Sequence, residues 1–502
     1  MQFLKKYWPF LIATGILLLY FLTRLANLTG LPIFTDEAIY IRWSQIAGND
    51  ANWRFISLTD GKQPLYVWIA MILLKFIEDP LFAGRLVSVI AGVGSVIGMF
   101  FLTNEVFKNR KTAFFASFLY VIYPFALVYD RLALYDSLVA MITIWALYFE
   151  FLLVRKLRLD IALLLGMIMG VGLLTKSNTN FALILLPFSL VLFDFKQKHW
   201  RRLLGKWFLL ALVAAGVALA MSLVLRLSPF YHIIGEKNLV FIYSFSDWIA
   251  RPFAFFVGNF TGLGGWLLNY MTIPVVLLVL SSFLVSKKYF KEKLLLLAWF
   301  IVPFMALAFF GKVIYPRFIL FMTMPLLVLA AYAFVYMMTV SRKAWFRLFI
   351  VIVFLTLPLF KDYFIITDFA HAPIPKSDLT QLVRGWPAGG GVNETVAFLK
   401  EKAKTEKIYV GTGGTFGLMP YALEIYLHDN PNITIKGFWP INDTAPKEVI
   451  DASKTMPTYF VFYQECPSCS QIGFAPAEWP ATPVLRMKKA EQNSFYTLYE
   501  IK

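Results

Sequence analysis

Pro64-Leu-Tyr-Val-Trp-Ile-Ala-Met-Ile-Leu-Leu-Lys-Phe-Ile77 is the stretch on which the topology of this chain turns. It is apolar for 14 residues and carries Lys75 near its end, whereas a helix crossing a bilayer needs about 20. It reads as an interfacial or re-entrant helix that does not cross. Upstream, Lys5 and Lys6 precede an apolar run at 8–26 with no small-residue cleavage site, which reads as an uncleaved signal anchor with a cytoplasmic N-terminus. Residues from Asn27 onward then lie outside. With 64–77 kept on that side, five basic clusters fall in the cytoplasm: Lys108/Arg110/Lys111, Arg155/Lys156/Arg158, Lys196/Lys198/Arg201/Arg202, Lys287/Lys288/Lys291/Lys293 and Arg342/Lys343/Arg347. Letting the stretch cross would put all five outside, against the positive-inside rule.

The composition fits this frame. Of 502 residues 59% are hydrophobic and 15% charged, too apolar for water to be the main solvent. The formal charge of +17 is spread over short inter-span clusters. No basic groove with interleaved aromatics is visible, so a nucleic-acid partner is excluded. About eleven spans are expected, near 8–26, 84–106, 112–128, 137–153, 160–175, 180–195, 206–226, 266–285, 294–310, 318–339 and 348–366. The fold class is thus an all-α polytopic membrane domain over 1–366, followed by a small soluble α/β domain over 367–502, where Pro, Gly and charge rise. In that tail, 394–404 reads as an amphipathic helix, and 407–411, 458–463 and 494–501 as strands. Gly411-Thr-Gly-Gly414 is a weak candidate phosphate cradle. Cys466 and Cys469, the two cysteines of the chain, are too few for a structural zinc site and leave a redox pair, a local disulfide or plain thiols.

The same bookkeeping places most chemistry-bearing residues on the outer face. Asp36 and Glu37 follow the first span, and a helix cap by Thr35 or Asp36 is their plain structural reading. Lys62 precedes the helix-opening Pro64, against the helix dipole, where a cation and free N–H groups favour an anion. Asp130, Arg131 and Asp136 lie in the second outer loop, Asp136 at a helix start. Lys176 ends one span and Arg317 opens another, both suited to a lipid phosphate and both compatible with ordinary interfacial anchoring. His232 and Glu236 stand i, i+4 in the fourth outer loop as candidate metal ligands.

Five tracts in order carry a resemblance: Thr35-Asp-Glu37, Lys62-Gln-Pro-Leu65, Arg131-Leu-Ala-Leu-Tyr-Asp136, Gly172-Leu-Leu-Thr-Lys176, and Tyr315-Pro-Arg-Phe318 with Pro325. Over about 8–366 the chain resembles the protein O-mannosyltransferase and aminoarabinose transferase superfamily, the GT-C glycosyltransferases that use dolichyl- or undecaprenyl-phosphate sugars. The resemblance implies Asp36 as the catalytic carboxylate, Glu37 as its motif partner and Asp136 as a second acidic group. It implies Lys62, Lys176 and Arg317 at the donor phosphate, with Arg131 a further candidate there. The aminoarabinose transferases typically carry Arg at Ile39 and Glu-Lys-Pro-Pro at Gly61-Lys-Gln-Pro64, so one acidic residue of a metal site of that type is missing. A divalent metal is the one cofactor left open. The expected partners are a polyprenyl-phosphate-linked sugar, a hydroxyl acceptor on protein, lipid or polysaccharide, and the lipid bilayer, with the enzyme multi-pass in the plasma membrane and its tail outside. The competing class is a transporter or flippase of lipid-linked sugars, whose ionisable groups belong at mid-bilayer. A receptor built on the tail would leave the outer loops unexplained.

Overall fold

The computed structural model describes residues 2–464, 472–489 and 494–502; Cys466 and Cys469 lie outside them. Among the described residues seven helices are long and apolar enough to cross a membrane: Tyr7–Leu25, Pro80–Phe107, Asp136–Lys156, Trp200–Leu227, Phe290–Phe310, Pro316–Val340 and Ala344–Thr367. Pro316–Val340 is the most buried and forms the axis of the bundle.

The expected count of eleven is not reached, for local reasons. The run at 112–128 breaks between the helices Arg110–Val121 and Pro124–Tyr129, because the residue before a proline is driven from the α region. The run at 160–175 becomes Leu159–Leu173, short for a span. That at 180–195 folds as the helical turn Phe181–Leu185 and a 3-10 stretch, Leu186–Leu192, opened by Pro187. The run at 266–285 bends by 97° between Phe256–Met271 and Ile273–Leu284, at Thr272 with φ of 66° followed by Pro274. Counting that bent pair as one span gives eight. The deciding stretch forms only the nine-residue helix Leu65–Leu73.

Beyond Thr367 a five-stranded sheet has the order β2-β1-β3-β5-β4. Strands β1 (Ile408–Gly413), β2 (Ile433–Phe438) and β3 (Thr458–Phe462) run parallel, linked by the helices Leu418–Leu427 and Lys447–Ser453. Strands β4 (Ala481–Lys488) and β5 (Phe495–Ile501) pair antiparallel on the β3 side. β1 and β3 are buried throughout, as sheet centres covered on both faces are. The half-exposed β2 and β4 were not legible as apolar runs.

The tail rests on the helix Thr35–Asn49, which follows the first span. Arg42 pairs with Glu424 at 2.7 Å, Gln45 donates to the Ile425 carbonyl at 2.8 Å, and the Thr35 hydroxyl donates to the Pro387 carbonyl at 2.9 Å. The helix carrying Asp36 is thereby gripped between the bundle and the sheet domain.

Candidate active site

A cavity of about 450 Å³ opens where the outer-loop segments meet the span ends; Lys62, Asp136, Lys176, Lys237 and Arg317 line it, with Tyr40 and Tyr135. Its other wall is apolar, built by Phe181, Phe241, Leu307, Phe310, Phe318 and Phe321. One compartment thus offers a cationic end and a greasy flank, the pairing an amphipathic phosphate ligand requires.

Asp36 enters through Arg317, whose Nη1 lies 2.8 Å from Asp36 Oδ2. The helix start does not use Asp36 as a cap: Glu37 Oε2 accepts from the Phe34 N–H at 2.9 Å instead. Burial works to raise the Asp36 carboxyl, but Arg317, Lys62 and Lys176 overcome it and hold it below the usual carboxylate range.

Lys62 makes no ion pair among the described residues; its ammonium sits 5.2 Å from the Phe241 ring centroid. Burial lowers its pKa to about 8, against the opposing pull of Asp36. The helix N-terminus expected to help it hold an anion is partly spent, since the Leu65 N–H donates to the Leu174 carbonyl at 3.0 Å. Gln63 adds a second tie to the same segment, donating to the Ser177 hydroxyl at 2.9 Å. Lys176 bonds Asp136 Oδ1 at 2.8 Å and lies 5.1 Å from the Phe318 ring centroid.

Asp36, Lys62, Asp136, Lys176 and Arg317 are therefore gathered; Glu37 and Arg131 are not. Glu37 is fully buried and every lone pair has a use: Oε1 accepts from Arg85 Nε at 2.8 Å and the Ala133 N–H at 2.7 Å, Oε2 from Arg85 Nη2 at 2.8 Å and Phe34 N–H. It ties the first outer helix to Pro80–Phe107 and to the second outer loop, away from the cavity. Arg131 donates to the carbonyls of Ala26 at 2.7 Å, Asn27 at 3.1 Å and Ile365 at 3.3 Å, so it fastens two span ends and does not face a phosphate. Lys237 was not foreseen. Its Nζ bonds Asp60 Oδ1 at 2.5 Å, and its helix Ile233–Phe241 closes over Gly61, where a Cβ would lie 2.5 Å from Lys237 Cβ. The one sequence signal was its place beside Glu236.

The metal expectation at His232 and Glu236 fails. Both are exposed, the His232 ring nitrogen is 3.0 Å from the Pro229 carbonyl, and among the described residues no three His, Cys, Asp or Glu converge. The cavity carboxylates do not supply the deficit, because Asp36, Asp136 and Asp60 each already hold a lysine or arginine. The described residues do not fit a divalent ion.

Comparison with known proteins agrees with this architecture. Residues 61–225 match the family described as dolichyl-phosphate-mannose-protein mannosyltransferase. The undecaprenyl phosphate-alpha-4-amino-4-deoxy-L-arabinose arabinosyl transferase of Pseudomonas paraeruginosa is 33% identical over 226 residues, 42% of this chain and 39% of its own length. Its counterpart from Pseudomonas aeruginosa is 32% identical over the same shares. The match thus spans well under half of these curated relatives. Among solved structures, ArnT from Cupriavidus metallidurans bound to undecaprenyl phosphate superposes with a TM-score of 0.59 at 15% identity, covering 98% of both chains. The oligosaccharyltransferase AglB from Archaeoglobus fulgidus, in complex with an inhibitory peptide and a dolichol-phosphate, gives 0.54 at 16% identity over 86% of this chain and 65% of its own. The fold is that of the GT-C glycosyltransferases in a multi-pass membrane protein. Over the matched part the chain is similar to the aminoarabinose transferases.

Proposed function

We propose that the protein transfers a sugar from a polyprenyl-phosphate donor to a hydroxyl acceptor at the outer membrane face, with inversion. The observation that carries the reading is the Arg317–Asp36 pair at a cavity whose flank is apolar and whose lining includes Lys62, a cation with no ion pair among the described residues. The donor is a phosphodiester, and its phosphate is a good leaving group. Displacement at the anomeric carbon therefore needs cations on the phosphate and one base on the acceptor, without the paired carboxylates of a glycosidase. Lys62, Lys176 and Arg317 take the phosphate, and the prenyl chain lies along Phe310, Phe318 and Phe321.

Arg317 links the two halves of the chemistry. With the cavity empty it neutralises Asp36 and keeps that carboxylate a poor base. A phosphate drawing on the same guanidinium takes part of that charge away, so Asp36 gains basicity once the donor is in place. Asp36 then accepts the acceptor's hydroxyl proton, the acceptor oxygen bonds the anomeric carbon, and the electron pair of the breaking C–O bond stays on the phosphate. Asp136 holds Lys176 in position. Glu37, through Arg85 and Ala133, fixes the turn that presents Asp36.

The reading further places the N-terminus in the cytoplasm, residues 1–366 as the membrane catalytic unit and 367–502 as an extracytoplasmic unit that braces the Asp36 helix. Incubating the purified protein with polyprenyl-phosphate donors labelled in either a hexose or a pentose, plus membrane extract, tests it. Label moving to an acceptor with inverted anomeric configuration is the expected result and assigns the sugar class. Labelled donor carried across a vesicle unchanged would overturn the reading in favour of transport.

A further inference from the structure

The segment joining the last span to the sheet domain sends one carboxylate back into the protein. Asp378, on the short helix Lys376–Leu379, is 1% exposed. Its Oδ1 accepts from the Tyr129 hydroxyl at 2.9 Å, and its Oδ2 accepts from the Tyr270 hydroxyl. Tyr129 ends the helix Pro124–Tyr129, at the entry to the second outer loop, and Tyr270 lies beside the 97° bend. Three elements distant in sequence are thus joined at one carboxylate.

No lysine or arginine forms an ion pair with Asp378 among the described residues, although a buried carboxylate is ordinarily paired with one. Lys376, on its own helix, is exposed. The charged groups that act on Asp378 are those of the cavity: Arg317 favours its ionised form and Asp136 opposes it. The two tyrosine hydroxyls also favour the anion, while burial is the largest influence and lifts the carboxyl to about 6. The helix Phe256–Met271, whose Tyr270 holds Asp378, packs against the turn Pro316–Ile319 that carries Arg317, so near neutral pH the donor cavity has a negative charge on that side of its arginine.

We propose that Asp378 is a positioning residue whose charge weakens the hold of the Arg317 cavity on phosphate, and does so more for the product than for the donor. The inference rests on the transfer reading, in which the donor is a phosphodiester with one negative charge. Breaking the bond to the sugar leaves a polyprenyl phosphate monoester, with about 1.5 to 2 negative charges near pH 7. A nearby fixed anion repels the second species more strongly than the first, so Asp378 promotes product release. It touches neither substrate nor reacting atoms and acts through the field at Arg317 and through Tyr129 and Tyr270.

The test measures Kd for donor and for polyprenyl phosphate on the full-length protein in detergent, without turnover, at pH 7.5 and 5.5. Asp378→Asn keeps the shape and one acceptor oxygen. It is expected to bind polyprenyl phosphate about 3- to 10-fold more tightly than the parent at pH 7.5, with a smaller gain for donor. The ratio of parent to variant Kd cancels the titration of the phosphate itself, and should fall towards one as the pH drops through about 6. Tyr270→Phe retains Asp378 but removes a bond to its anion, so in that variant the pH at which product binding tightens should move upward. This arm also carries the test if Asp378→Asn does not fold. Equal Kd values for product in the parent and in a folded Asp378→Asn protein, or an unmoved pH dependence in Tyr270→Phe, would overturn the role of Asp378. A parent that binds neither donor nor polyprenyl phosphate would overturn the transfer reading itself.

Discussion

At the end of the bundle that carries the cavity, carboxylates meet cations around open space: Asp36 with Arg317, Asp136 with Lys176 and Asp60 with Lys237, while Lys62 lies over an aromatic face and forms no ion pair among the described residues. The opposite end is also charged but differently organised. There Arg155 bridges Glu105 at 2.9 Å and Glu292 at 2.8 Å, binding the last turn of Pro80–Phe107 to Asp136–Lys156 and to the first turn of Phe290–Phe310. Lys293 is buried against the Ser282 and Ser286 carbonyls, 2.6 and 2.7 Å away, and over the Tyr332 ring. None of these groups lines the cavity. Charge at a span end is therefore no sign of chemistry by itself. What separates the two ends is whether the charged groups are used up by the protein or face a space that a ligand can fill.

The sharpest way to break that contrast is Asp36→Asn. Asp36 makes no capping bond, and Arg317, which loses its counter-charge, still faces the cavity, so the variant should fold and insert with a smaller loss of stability than a fully buried pair would suffer. Turnover should fall by about 10²–10⁴ while donor KM stays within a few-fold. A folded variant turning over at the parental rate would remove the base from Asp36.

Glu37, the adjacent residue, should fail in the other currency. Glu37→Gln leaves Arg85 buried without a counter-charge and is expected to cost about 3–5 kcal/mol of stability, seen as a large loss of thermal stability in detergent. Unchanged stability with lost turnover would return Glu37 to the chemistry.

Lys62 supplies an intermediate effect with a defined sign. Its folded pKa, about 8, is below the ordinary lysine value, so the charged form that receives a phosphate dominates below that pH and is lost above it. Donor kcat/KM, which reports the free enzyme, should decline above about pH 8 with a slope approaching tenfold per unit. Lys62→Arg should abolish that alkaline limb, and a limb that persists in it belongs to another group.

Much of this contrast was legible in the sequence, and its limits have physical causes. The apolar runs and basic clusters revealed which residues stand at span ends, and the five grouped at the cavity were all among them. Hydropathy reports depth along the bundle but not direction around it. Arg131 and Glu37 therefore gave the same signal as Arg317 and Asp36 while pointing into backbone carbonyls and Arg85. Lys237 and Asp60 meet across 177 residues of sequence, a pairing no local pattern encodes. The span count failed where Pro124, Pro187 and Pro274 interrupt helices inside runs that remain apolar, since a window average does not register a broken hydrogen-bond ladder. In the tail, β1 and β3 were readable as continuous apolar runs, whereas the mixed β2 and β4 were not.

The smallest expected effect is at the opposite end of the bundle. Arg155 is 24% exposed, and its partners Glu105 and Glu292 are 13% and 19% exposed, so solvent screens both pairs. Partly exposed ion pairs at a helix end contribute about 0.2–1 kcal/mol each. Lys108 remains beside Glu105 at 2.6 Å when Arg155 is removed, leaving that carboxylate with a counter-ion. Arg155→Met retains much of the aliphatic stem packing and should lower stability by about 1 kcal/mol or less. Donor KM and turnover should stay within about twofold of the parent, because the chemistry lies at the other end of Asp136–Lys156, about 30 Å away at 1.5 Å per residue. Thermal unfolding and steady-state kinetics on the same preparation check both numbers. A tenfold loss of turnover in a stable Arg155→Met protein would mean that the two ends are coupled through that helix, and the division between consumed and ligand-facing charge would no longer hold.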